Sequence, residues 1–162
     1  MKKLALILVL LSSISFANNN ALGVWVDRYN WGIDIKHLSD KNNAWDIYLR
    51  SFSIGSDLDF GADFGYYWLF NFIKADASMG SFPLHFGPDI GLNFQSHDDW
   101  NGFGIWGNAV GGISWFTPTT PKMDVSFELA LPIISYTDYG KSSFGFLKDN
   151  INFRLLFHVY FF

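Results

Sequence analysis

The stretch NINFRLLFHVYFF, residues 150–162, alternates between two kinds of side chain. In a β-strand, successive side chains point to opposite faces. One face would then carry only apolar residues, namely Ile151, Phe153, Leu155, Phe157, Val159 and Phe161. The other face would be mostly polar, with Asn150, Asn152, Arg154, Leu156, His158 and Tyr160. The pattern predicts a strand with one face in an apolar environment and the other against polar groups.

The same alternation recurs along the chain between clusters of Asn, Gly, Asp, Ser and Pro, which favour turns. It predicts eight strands, at 21–28, 31–38, 44–54, 57–70, 81–95, 102–116, 122–136 and 149–161. In the seventh strand, the residues expected on one face are Val125, Phe127, Leu129, Leu131 and Ile133. Pro88 cannot donate to a ladder, so we expect a bulge or local irregularity there. Glycines at positions 107, 111 and 112 weaken the pattern of the sixth strand.

The composition narrows the class of protein. Aromatic residues make up 20% of the chain and charged residues 16%, whereas the usual charged share is about 25%. A water-soluble chain of 162 residues would have difficulty hiding 18 Phe, 7 Trp and 7 Tyr. No apolar run after Leu11 is long enough for a transmembrane helix. These features favour a β-barrel in an outer membrane; a soluble exported ligand-binding barrel, with its apolar face inward, is an alternative.

Residues 1–17, MKKLALILVLLSSISFA, have the form of a secretory signal peptide. Lys2 and Lys3 precede an apolar stretch, and Ser15-Phe16-Ala17 is a small-x-small cleavage site. We expect cleavage after Ala17, which leaves 18–162 as a single barrel domain in the bacterial outer membrane. The chain has no cysteine, which excludes a disulfide scaffold and a thiol nucleophile. It has no basic patch or tail, so we expect no nucleic-acid partner.

Aromatic residues occur near both ends of the predicted strands. Amphipathic rings settle at the depth of lipid headgroups, so two girdles of such residues are expected on a membrane barrel. The predicted girdle residues are Trp31, Trp45, Trp68, Trp100, Trp115 and Tyr160. The first expected partner is therefore outer-membrane lipid.

Parity places a network of charged residues on the inner face. Its members are Asp34, Lys36, Asp46, Arg50, Asp59, Asp63, Asp89, Asp124, Glu128 and Arg154, with His85 and His158 beside them. An eight-stranded barrel is just wide enough for side chains to fill it, and charges buried there must pair. The excess of acids predicts carboxyls that keep their protons, trapped water or a bound cation. We predict a filled, paired and hydrated interior without a cofactor or structural metal; a narrow cation or proton path is the alternative.

Several stretches also occur in a familiar order: HLSDKNNAWD, FPLHFGPDIG, GGISWF, PKMDVSFELALPI and a basic residue in an aromatic C-terminal strand. Over 31–162 the chain resembles a family of small outer-membrane β-barrel proteins, similar in layout to the transmembrane domain of outer membrane protein A. The resemblance implies a monomeric, antiparallel up-and-down barrel. It also implies that the last strand is recognised by the barrel-assembly machinery. Two departures are Trp106, where the family tends to carry Arg, and Phe162, which extends one residue past the apolar register.

Some small outer-membrane barrels modify lipid A with His, Ser and a carboxylate near the outer rim. The candidate cluster for such chemistry here is Ser96-His97-Asp98. Consecutive residues point apart and rarely form a nucleophile, base and orienting group, so we predict no enzyme. The same loop offers Asp98, Asp99 and Asn101 but lacks the spaced ligands of a calcium motif. The remaining prediction is a structural or adhesive role through SHDDWNG and TDYGKSSFGFLK, with an unknown extracellular ligand.

Overall fold

The structure is a computed structural model. It describes residues 19–28, 31–39, 42–50, 53–54, 58–73, 77–97, 100–118, 122–138, 142–146 and 151–161. The predicted signal peptide and Phe162 lie outside these residues. The described strands are β1 (Asn20–Asp27), β2 (Trp31–Leu38), β3 (Asn43–Arg50), β4 (Ser53–Ile54), β5 (Leu58–Ile73), β6 (Phe82–His97), β7 (Trp100–Phe116), β8 (Met123–Asp138), β9 (Ser142–Phe146) and β10 (Asn152–Phe161). A short 3-10 helix, Ala77–Met79, precedes β6. Within the described part of the chain, no helix is long and apolar enough to cross a membrane.

All strand pairs are antiparallel, and β10 closes the sheet on itself. One edge of β10 pairs with β1, from Asn20↔Phe161 to Asp27↔Arg154. Its other edge pairs with β8, ending at Val159↔Met123. β4 pairs with β5, and β9 pairs with β8 beyond the reach of β10. β3 and β4 together occupy one position around the barrel, and β9 and β10 together occupy another. The described strands therefore form a closed barrel of eight strand positions. This confirms the predicted fold class.

The barrel has a terminal end and a loop end. The terminal end is where β1 begins at Asn20 and β10 ends at Phe161, and the loop end is the opposite one. At the loop end, β9 lies inside a segment that the sequence pattern assigns to a surface loop, so that assignment is wrong for residues 142–146. The reason is the neighbouring strand: β8 runs on to Asp138 and offers its edge to Ser142.

The outer face of the barrel is apolar. Ile90, in the middle of β6, is 62% exposed, and its sequence neighbours Asp89 and Gly91 are buried. The same alternation holds along the rest of β6 and on other strands, where outward residues include Val24, Ile33, Phe64, Phe86, Leu92, Ile105, Leu129 and Leu155. A soluble carrier would need the reverse arrangement, with apolar residues inside. Exposing this much apolar surface to water is unfavourable by about 25 cal/mol per Å².

Pro88 disturbs β6 without forming a bulge. The pairing of β6 with β5 is skipped between Gly65↔Asp89 and Trp68↔Phe86, but the register is the same on both sides of the gap. This is a local irregularity of the predicted kind, because proline has no N–H to donate.

A bulge lies instead between β7 and β8. Gly107 pairs with Ile134, whereas Asn108 pairs with Pro132, so Ile133 is the extra residue. Beyond the bulge the parity of β8 changes, and Ile134 is exposed on the outer face. The prediction that Ile133 continues the apolar face is therefore wrong. The neighbouring Pro132 explains the difference, since it cannot extend a regular ladder.

Glycines on the inner face make room for large side chains. A Cβ atom added at Gly65 would clash with the ring of Tyr67, and one added at Gly91 would clash with Trp106 and Asp63. The interior is therefore packed with side chains, as expected for a barrel of this size.

Candidate functional site

The inward positions of the strands form one polar interior. Its fully buried polar side chains, among the described residues, are Asp34, Lys36, Asp46, Asp63, His85, Asp89, Ser114, Asp124, Ser126, Glu128, Arg154 and His158. They come from β2, β3, β5, β6, β7, β8 and β10. Buried charges are tolerated only when they are paired and hydrogen-bonded, so their contacts decide what the interior can do.

Near the terminal end, Asp34, Lys36, Asp46, Asp124 and His158 form what we call the terminal cluster. His158 lies between two carboxylates: Nδ1 is 2.7 Å from Asp124 Oδ1, and Nε2 contacts Asp34 Oδ2. Lys36 Nζ lies 3.3 Å from Asp124 Oδ2. The hydroxyl of Tyr160 donates to the same Oδ2 over 2.7 Å. Asp124 is thereby held by side chains from β2 and β10.

The centre of the barrel is organised around Glu128. His85 Nε2 lies 3.1 Å from Glu128 Oε1. The hydroxyl of Tyr48 lies 3.4 Å from both oxygens of Glu128 and 3.0 Å from the hydroxyl of Tyr67. Tyr48 also donates to Asp46 Oδ2 over 3.1 Å. Glu128 therefore connects the terminal cluster to groups farther along the barrel.

Two serines complete the link between the centre and the terminal cluster. Ser114 Oγ lies 3.2 Å from His85 Nδ1 and 2.7 Å from Ser126 Oγ, and Ser126 donates to Asp124 Oδ1 over 3.0 Å. Ser114, His85 and Glu128 thus have the connectivity of a nucleophile, a base and an orienting acid. Ser114 is completely buried, however, so its hydroxyl gives a substrate no access in this conformation. The arrangement is a hydrogen-bond relay.

Toward the loop end, two arginines neutralise two more acids. Arg154 Nη1 lies 2.5 Å from Asp89 Oδ2 and 3.9 Å from Glu128 Oε2. Its guanidinium carbon lies 5.0 Å from the centroid of the Tyr48 ring. Asn108 donates to the other oxygen of Asp89 over 3.1 Å. Asp89 is thus held by Asn108 of the neighbouring strand β7 and by Arg154 of β10 across the interior.

The second pair joins Arg50 to Asp63. Arg50 Nε lies 2.8 Å from Asp63 Oδ2, and Nη2 lies 3.3 Å from Oδ1. Trp106 donates its indole N–H to the same Oδ1 over 2.6 Å. The Arg50 guanidinium carbon lies 4.7 Å from the Trp106 ring and 5.6 Å from the Trp25 ring. Trp106 therefore takes part in binding both members of this ion pair.

The terminal end of the interior is covered by aromatic rings. Ala21, Phe116 and Tyr160 are buried together, and Leu38 packs against them. Lys122, just before β8, places its ammonium 4.7 Å from the Phe116 ring and 5.4 Å from the Tyr160 ring. Burial lowers the pKa of Lys122, although the nearby Asp124 acts in the opposite direction.

The structure brings most of the predicted inner-face charges together. Asp34, Lys36, Asp46, Asp63, Asp89, Asp124, Glu128 and Arg154 are buried, and Arg50 is largely so. The side chain of Asp59 lies outside the described residues. Parity also places Tyr48, Tyr67, Ser114 and Ser126 inside, but the predicted network does not include them because it contains charged residues only.

The residues of the predicted aromatic girdle differ in their exposure on the outer face. Trp31, Trp68 and Trp115 are exposed on the outer face, with Trp31 at 65%. Trp45 is half-buried and stacks on His37, and the side chain of Trp100 lies outside the described residues. The prediction that Tyr160 belongs to the girdle is wrong, because this side chain is only 2% exposed and points inward to Asp124. It follows the parity of Arg154 and His158 in β10, which outweighs its place near the strand end.

The candidate catalytic cluster of the loop is only partly described. Ser96 donates to Asn101 Oδ1 over 2.6 Å at an exposed position. The side chain of His97, and all of Asp98 and Asp99, lie outside the described residues. In the described part, Ser96 therefore contacts its own hairpin.

Closed pairing, an apolar exterior and a charged interior define the class: an eight-stranded antiparallel barrel of the outer-membrane type. No protein-family model matches the chain, and no curated protein is significantly similar to it. Among solved structures, the chain is similar to the crystal structure of Ail, the attachment invasion locus protein of Yersinia pestis. The two are 9% identical, over 87% of this chain and 93% of that chain, with a TM-score of 0.39. The assignment of class rests on strand pairing and burial.

Proposed function

We propose that this protein is an integral, monomeric barrel of the bacterial outer membrane, with a filled polar interior and a structural or adhesive role at the cell surface. The observation that carries the proposal is the distribution of side chains, with apolar residues outside and paired charges inside. The hydrocarbon of the bilayer solvates the outer face. Closure of the barrel provides hydrogen-bond partners for the backbone N–H and C=O groups of each strand.

The packing of the interior supports a plug. Charged groups from β2, β6, β8 and β10 contact one another, and the Ala21, Phe116 and Tyr160 cluster covers the terminal end. An ion that followed this route would have to displace paired buried charges, which is costly. We therefore expect a stable barrel whose filled interior gives no steady ion conductance.

The loop end supports a surface role. Strands β5 to β8 contain 16 or 17 residues, whereas a transmembrane strand needs about 9–11. Their excess length extends past the bilayer into hairpins tied by side-chain hydrogen bonds, Ser96 to Asn101 and Thr137 to Ser143. Phe144 and Phe146 in β9 are exposed beside this polar rim. Hydrogen-bonded strand ends of this kind suit contact with an extracellular ligand, and we propose the rim as the adhesive surface.

The test begins with the mature chain refolded in detergent. We expect unboiled protein to migrate differently from boiled protein on a gel and to give no steady conductance in planar bilayers. For adhesion, cells that display the wild type are compared with cells that display Phe144→Ser/Phe146→Ser, and Ile90→Val serves as a control on the lipid face. Reduced binding to host-cell matrix or a second bacterial surface by the first variant alone would support adhesion. Equal binding by all three would leave only the structural role.

A narrow proton path is the second candidate, because one relay connects the terminal cluster to the centre of the interior. It runs from Asp124 through Ser126, Ser114 and His85 to Glu128. Proton flux into vesicles, measured with a pH-sensitive dye, tests it. Flux above empty vesicles that falls in Ser114→Ala but not in Ser96→Ala would favour the path over the plug.

A further inference from the structure

We infer that the terminal cluster holds a site for a divalent transition-metal cation of the zinc type, with Asp34, Asp46 and His158 as protein ligands. The inference goes beyond the proposed function and requires only the barrel itself. It also departs from the sequence-based expectation of no structural metal.

Strand pairing brings the three residues together. Gly23 of β1 is the register partner of both Asp34 on β2 and His158 on β10. Because Gly23 has no side chain, those two groups meet across it; an added Cβ would clash with Asp34 Oδ1 and the His158 ring. Asp46 approaches from β3, the neighbour of β2. One carboxylate oxygen of each aspartate and one ring nitrogen of His158 all lie within 4.8 Å of one another.

Two of the candidate ligand residues carry unused acceptor atoms. Asp34 and Asp46 are completely buried, and the Oδ1 atom of each accepts no hydrogen bond from any described residue. A buried acceptor without a partner is unfavourable and uncommon. A cation bound by these oxygens would satisfy both at once.

The groups around the ligands have the arrangement of an outer coordination shell. Histidine ligands usually place their second ring nitrogen on a carboxylate, which fixes the tautomer and the ring orientation. His158 does this through Nδ1 and Asp124, and its Nε2 is directed to Asp34. Tyr48 donates to Oδ2 of Asp46, which orients that carboxylate and leaves Oδ1 for a metal.

Charge and ligand type select the cation. The terminal cluster contains three carboxylates and one ammonium, so with a neutral His158 it carries an excess of negative charge that suits a divalent ion. One imidazole nitrogen and two carboxylate oxygens, with a water as fourth ligand, fit tetrahedral Zn²⁺. Ca²⁺ and Mg²⁺ prefer six or more oxygen ligands, so we expect them to be excluded.

The experiment refolds the mature chain in detergent with Zn²⁺, Co²⁺, Ca²⁺ or Mg²⁺ and then removes loose metal by gel filtration through a chelator. Elemental analysis should find about one Zn²⁺ or Co²⁺ per folded chain and no retained Ca²⁺ or Mg²⁺. The Co²⁺ form should show the visible absorption of a tetrahedral ion. Absence of retained metal in the wild type, or equal retention of all four ions, would overturn the inference.

Matched variants locate the site. Asp34→Asn and Asp46→Asn each remove one carboxylate with little change in shape and should lower metal retention about tenfold or more. Asp63→Asn is the control, because Asp63 is equally buried but is paired with Arg50. Metal that stays in both ligand variants, or leaves all three alike, would contradict the assignment. If the ligand variants do not fold, X-ray absorption of the Co²⁺ wild type decides: an imidazole nitrogen must be present in the first shell.

Discussion

Arg154 on β10 and Asp89 on β6 form a buried ion pair inside the barrel, with Nη1 and Oδ2 2.5 Å apart. Neither β8 nor β1, the strands that pair with β10, contributes the acid. The pair therefore crosses the interior instead of following the wall. It connects parts of the barrel that have no backbone hydrogen bonds to each other.

Replacing Arg154 by Met should destabilise the barrel by about 3–5 kcal/mol, because Asp89 would be left as an unpaired buried charge. The measurement is the urea midpoint of unfolding in lipid vesicles, followed by gel mobility. The double variant Arg154→Met/Asp89→Asn removes both charges and should recover much of the loss. A double variant as unstable as the single one would show that the guanidinium acts by packing, not by pairing.

Gly23→Ala should destabilise the barrel by about 1–3 kcal/mol, since overpacking forces neighbouring groups to move. The added methyl would meet the Phe157 carbonyl as well as Asp34 and His158, and backbone cannot move aside easily. Urea unfolding of the refolded chain checks this. Gly107→Ala is the matched control: its Cβ would lie 3.1 Å from the Cγ2 methyl group of Ile134 and 4.0 Å from the nearest backbone atom, so its effect should be much smaller.

Ile90→Lys places a charge on the lipid face at the centre of β6 and should lower stability by about 2–4 kcal/mol in a bilayer. Asn101→Lys, at an exposed position near the loop end, should have little effect. Folding yield into vesicles and the urea midpoint measure both. Similar results for the two variants would mean that residue 90 does not face hydrocarbon.

Trp106→Phe keeps an aromatic ring beside Arg50 but removes the N–H that Asp63 accepts. We expect a loss of about 1–3 kcal/mol, the range for a buried group that loses a charge-assisted hydrogen bond. Trp115→Phe is the comparison, because its indole donates to the Met79 carbonyl at an exposed site. If the two variants unfold at the same urea concentration, the contact with Asp63 contributes little.

Period-2 alternation predicts the barrel well, because one face of each strand meets an apolar environment and the other a polar one. That is why the parity of Arg154, His158 and Asp124 is sufficient to place them inside. Tyr160 is a residue for which two sequence rules disagree. Its position near a strand end predicts the membrane interface, whereas its parity in β10 predicts the interior. The structure agrees with the parity.

Other features depend on pairing that a single strand does not reveal. The bulge at Ile133 arises between β7 and β8, and β9 forms because β8 extends beyond β10. The contact between Asp34 and His158 joins residues 124 positions apart. Both residues belong to the predicted inner-face set, but only closure of the sheet brings them into contact.

Strand β10 has a consequence for insertion into the membrane. It supplies Arg154, His158 and Tyr160, whose partners lie on β6, β2 and β8. The same strand joins β1 to β8, so sealing the seam and neutralising the interior acids are one event. A partly paired sheet would expose unpaired backbone hydrogen-bonding groups, and carboxylates without a cationic partner, to hydrocarbon. Assembly should therefore be cooperative, with few partly inserted forms. Pairing of β10 with β1 and β8 should determine whether the other strands remain inserted in the membrane.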